Sequence, residues 1–393
     1  DTKAPTEWSA DKNVAWRLPL PGQSGATPVV WGDKIFITSV DENELVLLCI
    51  GTDGKKQWQR TIGVGDRTVR GDEGNMASPS AVTDGKHVWS LMGTGDVACF
   101  DMDGNETWKL NLQERYGKLN IAFGLSSTPI VHGDAIFFQM IHGDGKADTV
   151  EAMVVALNKL TGDEIWQKKR ITGATSENEH SYASPVLYNF GGVAYLITHG
   201  ADFTVAHELA DGQERWRLGG LNPRDDPNRK YHPTLRFVAS PAAAEGIVVS
   251  PTAKNGPIFA IRSDQRGDLT DKSSARHWVR PRNTPDVPSP LIDGGLVYLC
   301  RENGVLLCVD QKSGKDVYEQ RLHDHRHRAS PVLINGNIYL TARDGRVTVV
   351  KSGKDFEILA KNDLNEQLSA SPAVANGTIY LRTFKALWAI RAE

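Results

Sequence analysis

Along the whole chain, apolar positions come in short runs cut off by polar turns. Lys34-Ile35-Phe36-Ile37-Thr38, Leu296-Val297-Tyr298-Leu299-Cys300, Asn337-Ile338-Tyr339-Leu340-Thr341 and Thr378-Ile379-Tyr380-Leu381-Arg382 are runs of this kind. Segments this short and this rich in β-branched and aromatic residues predict strands rather than helices. The turns between them, such as Glu302-Asn303-Gly304 and Arg343-Asp344-Gly345, place Gly after Asn or Asp, as tight hairpins require.

The pattern repeats. A small residue, then Ser or Thr, then Pro opens each unit: Ala26-Thr27-Pro28, Ala77-Ser78-Pro79, Ser127-Thr128-Pro129, Ala183-Ser184-Pro185, Ala239-Ser240-Pro241, Ala329-Ser330-Pro331 and Ala370-Ser371-Pro372, with Pro288-Ser289-Pro290 as a variant. The spacing of these prolines, 41 to 56 residues, is that of propeller blades. Within most units a further Asp-Gly or Thr-Gly turn leads to a strand ending in Trp, which makes four strands per repeat. After Pro372 there is room for three strands only, and the missing one stands at the other end of the chain as Asn13-Val14-Ala15-Trp16-Arg17. The predicted fold is therefore all-β: one eight-bladed β-propeller over residues 1–393, its four-stranded antiparallel blades closed by strand 13–17 joining segment 370–393. Such closure leaves only short, protected sheet edges.

Ser/Thr-Pro, a Gly or Asp turn, an apolar strand, then Thr-Gly or Asp-Gly and Trp resembles the pyrroloquinoline-quinone-like (PQQ-like) propeller repeat, over essentially the whole chain. The resemblance implies the fold and leaves two kinds of function. One is the quinoprotein dehydrogenase, which holds PQQ and a calcium ion in the central funnel. The other is the BamB-like scaffold, which lacks the cofactor and serves interactions outside the cytoplasm in outer-membrane protein assembly. The dehydrogenases often carry a vicinal cysteine pair and long insertions; here Cys49, Cys99, Cys300 and Cys308 are nowhere adjacent and the blades are near minimal in length. No catalytic residue and no calcium ligand of the dehydrogenases carries over to a matching local motif. The length suits the BamB-like branch.

Composition adds limits. With 40% hydrophobic and 24% charged residues the chain is not disordered. A net charge of −3 provides no basic field for nucleic acid, and no apolar run is long enough for a transmembrane helix. The four cysteines are expected to be buried free thiols. Trp16, Trp58, Trp108, Trp166, Trp216 and Trp278 hold one register in successive units, so they are expected to pack between blades rather than bind a ligand. Tyr318 takes that place in the sixth unit, and the seventh has no equivalent. The resemblance and the absence of an initiating Met imply a monomer, periplasmic or secreted, with its signal peptide removed.

In a propeller, the loop leading into each blade and the loop between its second and third strands share the funnel face. Sorting polar residues by these loops gives two candidate sets. His142, His180, Tyr182, His199, His232 and Arg236 fall on blades three to five, with Tyr231 beside them. The four histidines are candidate ligands for a divalent metal, and with Tyr and Arg they are candidates for acid–base work. The plain alternative is loop histidines bonded to backbone. The second set, Lys254, Arg301, Arg343 and Arg382, would make an electropositive funnel for a carboxylated quinone or a uronate, unless Glu302 and Asp344 neutralise it. Lys385, and Arg70, Asp72 and Glu73 ahead of the second blade, reach the same face. In the tract His323-Asp324-His325-Arg326-His327-Arg328, extended backbone would put the three histidines on one side. The insertion from Gly219 to Pro233 is a candidate partner-binding loop.

Three readings follow. The first is a non-catalytic scaffold binding a protein partner or a small anionic or carbohydrate ligand. The second is an enzyme using the His/Tyr/Arg set on a carbohydrate or other anion, with or without a metal. The third is a dehydrogenase using PQQ and calcium.

Overall fold

A computed structural model describes residues 4–67, 74–146, 151–222 and 232–392. Eight antiparallel sheets follow one another along the chain, each running from its innermost strand outward. Blade 1, for example, consists of Val29–Trp31, Lys34–Asp41, Glu44–Gly51 and Lys56–Val64, in that order. The second and third strands are buried on both faces because each blade is sandwiched between two others. That is why the apolar runs read as continuous in the sequence. Phe36, Cys49 and Trp58 of blade 1 pack with Val88, Ala98 and Phe100 of blade 2, and similar clusters fill the other seams. All four cysteines are free and buried.

A ring of hydrogen bonds joins the blades at their inner ends. The backbone N–H of Thr27 donates to the Ser80 hydroxyl, Ser80 to Thr128, Thr128 to Ser184, and so on through Ser240, Ser289 and Ser330 to Ser371, each at 2.9–3.1 Å. The Ser or Thr before proline is thus a link in a run of bonds that passes through all eight blades, which accounts for its recurrence. Blade 2 departs from the expected register. Its link is Ser80, with Ala81 in the proline position, while the Ser78 hydroxyl turns back to the Asn75 carbonyl at 2.7 Å. The repeat in this blade lies two residues beyond Ser78-Pro79.

The tryptophans dock each blade onto the next. The Trp16, Trp58, Trp108, Trp166 and Trp278 indoles lie against Gly54, Gly104, Gly162, Gly212 and Gly314 in the third turn of the following blade. Their Nε1 groups donate to carbonyls of those turns, those of Thr52, Met102, Lys159, Leu209 and Gln311, at 2.8–3.2 Å. Gly104 shows why the turn requires Gly: its φ is +82°, and a Cβ there would stand 2.8 Å from the Trp58 ring. Gly104→Ala is expected to lower unfolding stability by about 1–3 kcal/mol, from overpacking and the left-handed backbone together. Urea denaturation checks it; an unchanged midpoint would mean the seam is loose.

Trp216 departs from this pattern. Blade 5 has a long connection between its third and fourth strands, Ile258–Arg262 and Arg276–Arg280. Gly267–Asp268 of that connection pairs parallel with Trp216 and Arg217, giving blade 4 a fifth strand and covering the indole to 1% exposure. Trp216 meets Tyr195 of its own blade edge-on instead.

The N-terminal segment closes the ring as expected. Val14–Pro19 pairs with Ala386–Ile390, and Arg17 reaches Glu366 at 2.7 Å. It also does something not foreseen. Blade 7 has Ala360 where the others carry Trp or, in blade 6, Tyr318, and Trp8 supplies a ring from outside the repeat. It stacks on Tyr339 of blade 7 at 6.2 Å and 10°. Asn362 holds this segment at both ends, accepting from Trp8 N–H at 2.8 Å and donating to the Thr6 carbonyl at 2.9 Å.

Candidate functional site

A cavity of about 590 Å³ opens where the loops between blades and those between second and third strands converge. Tyr182, Arg236, Lys254 and Arg343, all picked out from the sequence, line it together. Asp286, Glu302, Arg326 and Arg328 complete its charged lining. The Arg236 guanidinium sits 5.1 Å from the Phe123 ring centre and 3.0 Å from the Glu177 carboxylate. Arg343 lies 5.4 Å over Phe384. Arg328 pairs with Glu302 at 3.1 Å, and the Lys254 N–H donates to Asp286 at 3.0 Å. Five cationic side chains therefore face two carboxylates in one cavity. Tyr182 packs against Phe123 at 5.8 Å, and burial pushes its phenol well above the usual range, so it stays protonated at neutral pH.

The other sequence candidates sit elsewhere. His199 belongs to strand Val193–Gly200, not to the loop after it, and points into the core. There its ring meets Phe237 edge-on at 4.8 Å and bonds the Thr204 hydroxyl at 2.8 Å, and burial pushes its pKa down to about 3. Arg382 ends strand Thr378–Arg382 and is likewise buried. Its guanidinium caps the Thr38 and Gly22 carbonyls of blade 1 and so locks the last blade to the first. Arg301 is drawn outward to Glu319 at 2.9 Å. The causes differ: the strand carrying His199 runs further than the turn signals indicated, Arg382 is the last residue of its strand and turns inward, and Arg301, just past its strand, is held by an ion pair.

His142 is buried behind the rim, 3.3 Å from Glu151, and accepts the Asn120 N–H at 3.2 Å; burial holds its pKa below the usual value. His180 bonds the Gly143 carbonyl at 3.2 Å and lines a neighbouring cavity with Glu177. His232 is exposed beside Thr234. The four histidines are thus not brought around one point, and among the described residues no group of three or more His, Cys, Asp or Glu is arranged to hold a metal ion. In the His323–Arg328 tract, His323 and His325 stack at 6.0 Å and face Asp344, which His323 approaches to 2.6 Å. His327 does not join them; it is fully buried and bonds the His325 carbonyl at 3.0 Å. Arg70, Asp72, Glu73, Tyr231 and residues 223–230 of the insertion lie outside the described residues.

No helix among the described residues is long and apolar enough to cross a membrane. No curated protein sequence matches the chain. Among solved structures, BamB from Moraxella catarrhalis is similar at 14% identity, with a TM-score of 0.64 over 95% of this chain and 96% of that one. A europium-containing methanol dehydrogenase gives 0.69 at 12% identity, covering 96% and 86%. The quinohemoprotein alcohol dehydrogenase from Comamonas testosteroni gives 0.67 at 14% identity, covering 97% and 76%. At these identities the likeness is one of fold, shared by scaffolds and dehydrogenases alike, and no motif separates a catalytic from a non-catalytic role. The family described as outer membrane protein assembly factor BamB matches residues 52–320 and 228–354. The chain belongs to that family, as an eight-bladed propeller of PQQ-like repeats.

Proposed function

We propose that the central cavity receives a small anionic ligand. The observation that carries this reading is the convergence of Arg236, Lys254, Arg326, Arg328 and Arg343 on one cavity, against two carboxylates among the described residues that line it, Asp286 and Glu302. Cationic groups in a concave, partly desolvated site attract anions more strongly than the same groups on an open surface. The family's description supports a setting in the periplasm or outside the cell. The loops of the same face offer surface for a protein partner.

A calcium-bound quinone fits this lining poorly. Calcium takes six to eight oxygen ligands, several of them carboxylates. Here Glu302 is engaged by Arg328 and Asp286 by the Lys254 backbone. The cationic wall matches the carboxylates of such a quinone, but among the described lining residues the metal half of the pair lacks its donors. A second reading, acid-assisted chemistry on an anionic carbohydrate, draws support from Tyr182, a protonated phenol in the same cavity as Arg236.

Calorimetric titration with tricarballylate tests the main reading. Lys254→Gln and Arg328→Gln are each expected to weaken binding about tenfold, the loss of one charge-assisted hydrogen bond. Affinity unchanged in both variants would overturn it. Product formation lost in Tyr182→Phe with binding retained would favour the catalytic reading.

A further inference from the structure

The charges that the described residues bring to the cavity are all on one side. Among the described residues, every charged one that lines the cavity lies between Arg236 and Arg343, on the loops of blades 5 to 7. Across the ring, the loops leading into blades 8 and 1 to 3 contribute Ser369, Gly25, Ser78, Ser80, Ser126 and Thr128, with no charge among them. In a propeller these two arcs face each other across the axis, so the cavity has a charged wall and a hydroxyl wall.

We infer that this cavity is built for a saccharide bearing a carboxylate, its acid group on the blade 5–7 wall and its ring hydroxyls on the blade 1–3 wall. The inference rests on the anion-binding reading above and names the ligand class. Three observations carry it. The first is size: 590 Å³ is far more than a lone carboxylate fills and lies within the range of sites for ligands of one or two rings. The second is the chemistry of the uncharged wall. Ser80 and Thr128 each accept a neighbouring blade's N–H at 2.9 and 3.1 Å, which fixes the oxygen while the hydroxyl keeps an O–H and a lone pair. Such groups both donate and accept, as the hydroxyls of a sugar ring do. The third is the ground between the walls, where Phe123 and Tyr182 offer ring surface for the C–H face of a pyranose. A polycarboxylate without hydroxyls would leave the hydroxyl wall unmatched. A neutral sugar would leave the excess of cationic over anionic groups on the charged wall unmatched.

The test is calorimetric titration with three probes: digalacturonate, the neutral disaccharide galactobiose, and tricarballylate, which carries carboxylates but no hydroxyls. Digalacturonate is expected to bind at least about tenfold more tightly than either of the others. Ser126→Ala is expected to weaken digalacturonate about fivefold, the loss of one neutral hydrogen bond, and to leave tricarballylate unchanged. Ser369→Ala serves as a second variant, and Ser126→Thr is expected to restore affinity. Tricarballylate binding as tightly as digalacturonate would overturn the saccharide inference and leave the anion site standing. Galactobiose equal to digalacturonate, or no binding of any probe, would overturn both.

Discussion

A chain shortened by residues 1–19 is expected to lose cooperative unfolding. Trp8 and Trp16 both leave with that segment. Each is a docked indole, of a kind whose truncation to Ala costs about 3–5 kcal/mol. The closing strand pairing, the Arg17–Glu366 ion pair and the Asn362 clamp go as well. The combined loss reaches or exceeds the roughly 5–15 kcal/mol by which a typical protein is stable. Far-UV circular dichroism on heating is the measurement, with a peptide of residues 1–20 added in trans as the complement. The truncated chain should melt broadly or aggregate, and the peptide should restore a sharp transition. Trp8→Ala alone should lower stability by about 3–5 kcal/mol while leaving strand Val14–Pro19 paired. A truncated chain melting at the full-length temperature would show that the ring does not depend on its closure.

Acid is expected to unfold the protein well above the carboxylate range. His199, His207 and His327 are buried, with pKa values pushed down by loss of hydration to about 3, 4 and 4. Near neutral pH they are uncharged in both states and contribute no pH dependence. As pH falls below about 6.5, the unfolded chain binds three protons that the folded one refuses, so stability declines until the folded pKa values are reached. The slope for three such groups is about 4 kcal/mol per pH unit near pH 5. His142 and His180, also held below their usual values, act in the same direction. Glu179, raised by burial, opposes them as a single group. Guanidinium midpoints at pH 7.5, 6 and 5 check this, with His327→Gln expected to flatten the slope by about a third. A flat profile from pH 7.5 to 5 would mean these imidazoles reach water.

The eight repeats, the register of their tryptophans and the closing strand were legible because each is written as local spacing. Blade 2 was read two residues early because Ser78-Pro79 imitates the motif that Ser80-Ala81 fills; only the bond from Thr27 tells them apart. Trp8 went unread since it lies outside any repeat, although the missing Trp of blade 7 was a signal that something must cover Tyr339. Three of the seven described charged residues that line the cavity were legible through loop position: Arg236, Lys254 and Arg343 lie on loops that do face the axis. His199 and Arg382 sit one residue or less inside strand ends, where a single step of alternation decides between core and cavity. Glu302 was seen only as a neutraliser of Arg301, and its actual partner, Arg328, comes from a loop distant in sequence.

The double use of the N-terminal segment also orders events during synthesis. Trp8 and Asn362 are separated by 354 positions, so neither join can form until the strand that carries Asn362 has been made. Blades 1 to 6 can assemble by short-range hairpins as they emerge, but blade 7 lacks its covering ring until Trp8 docks and blade 8 lacks its outer strand until Val14–Pro19 pairs with Ala386–Ile390. Contacts of such long sequence separation are slow to form and leave strand edges open meanwhile. The fold therefore closes in a late event, in which one segment, from Trp8 to Pro19, seals two blades at once.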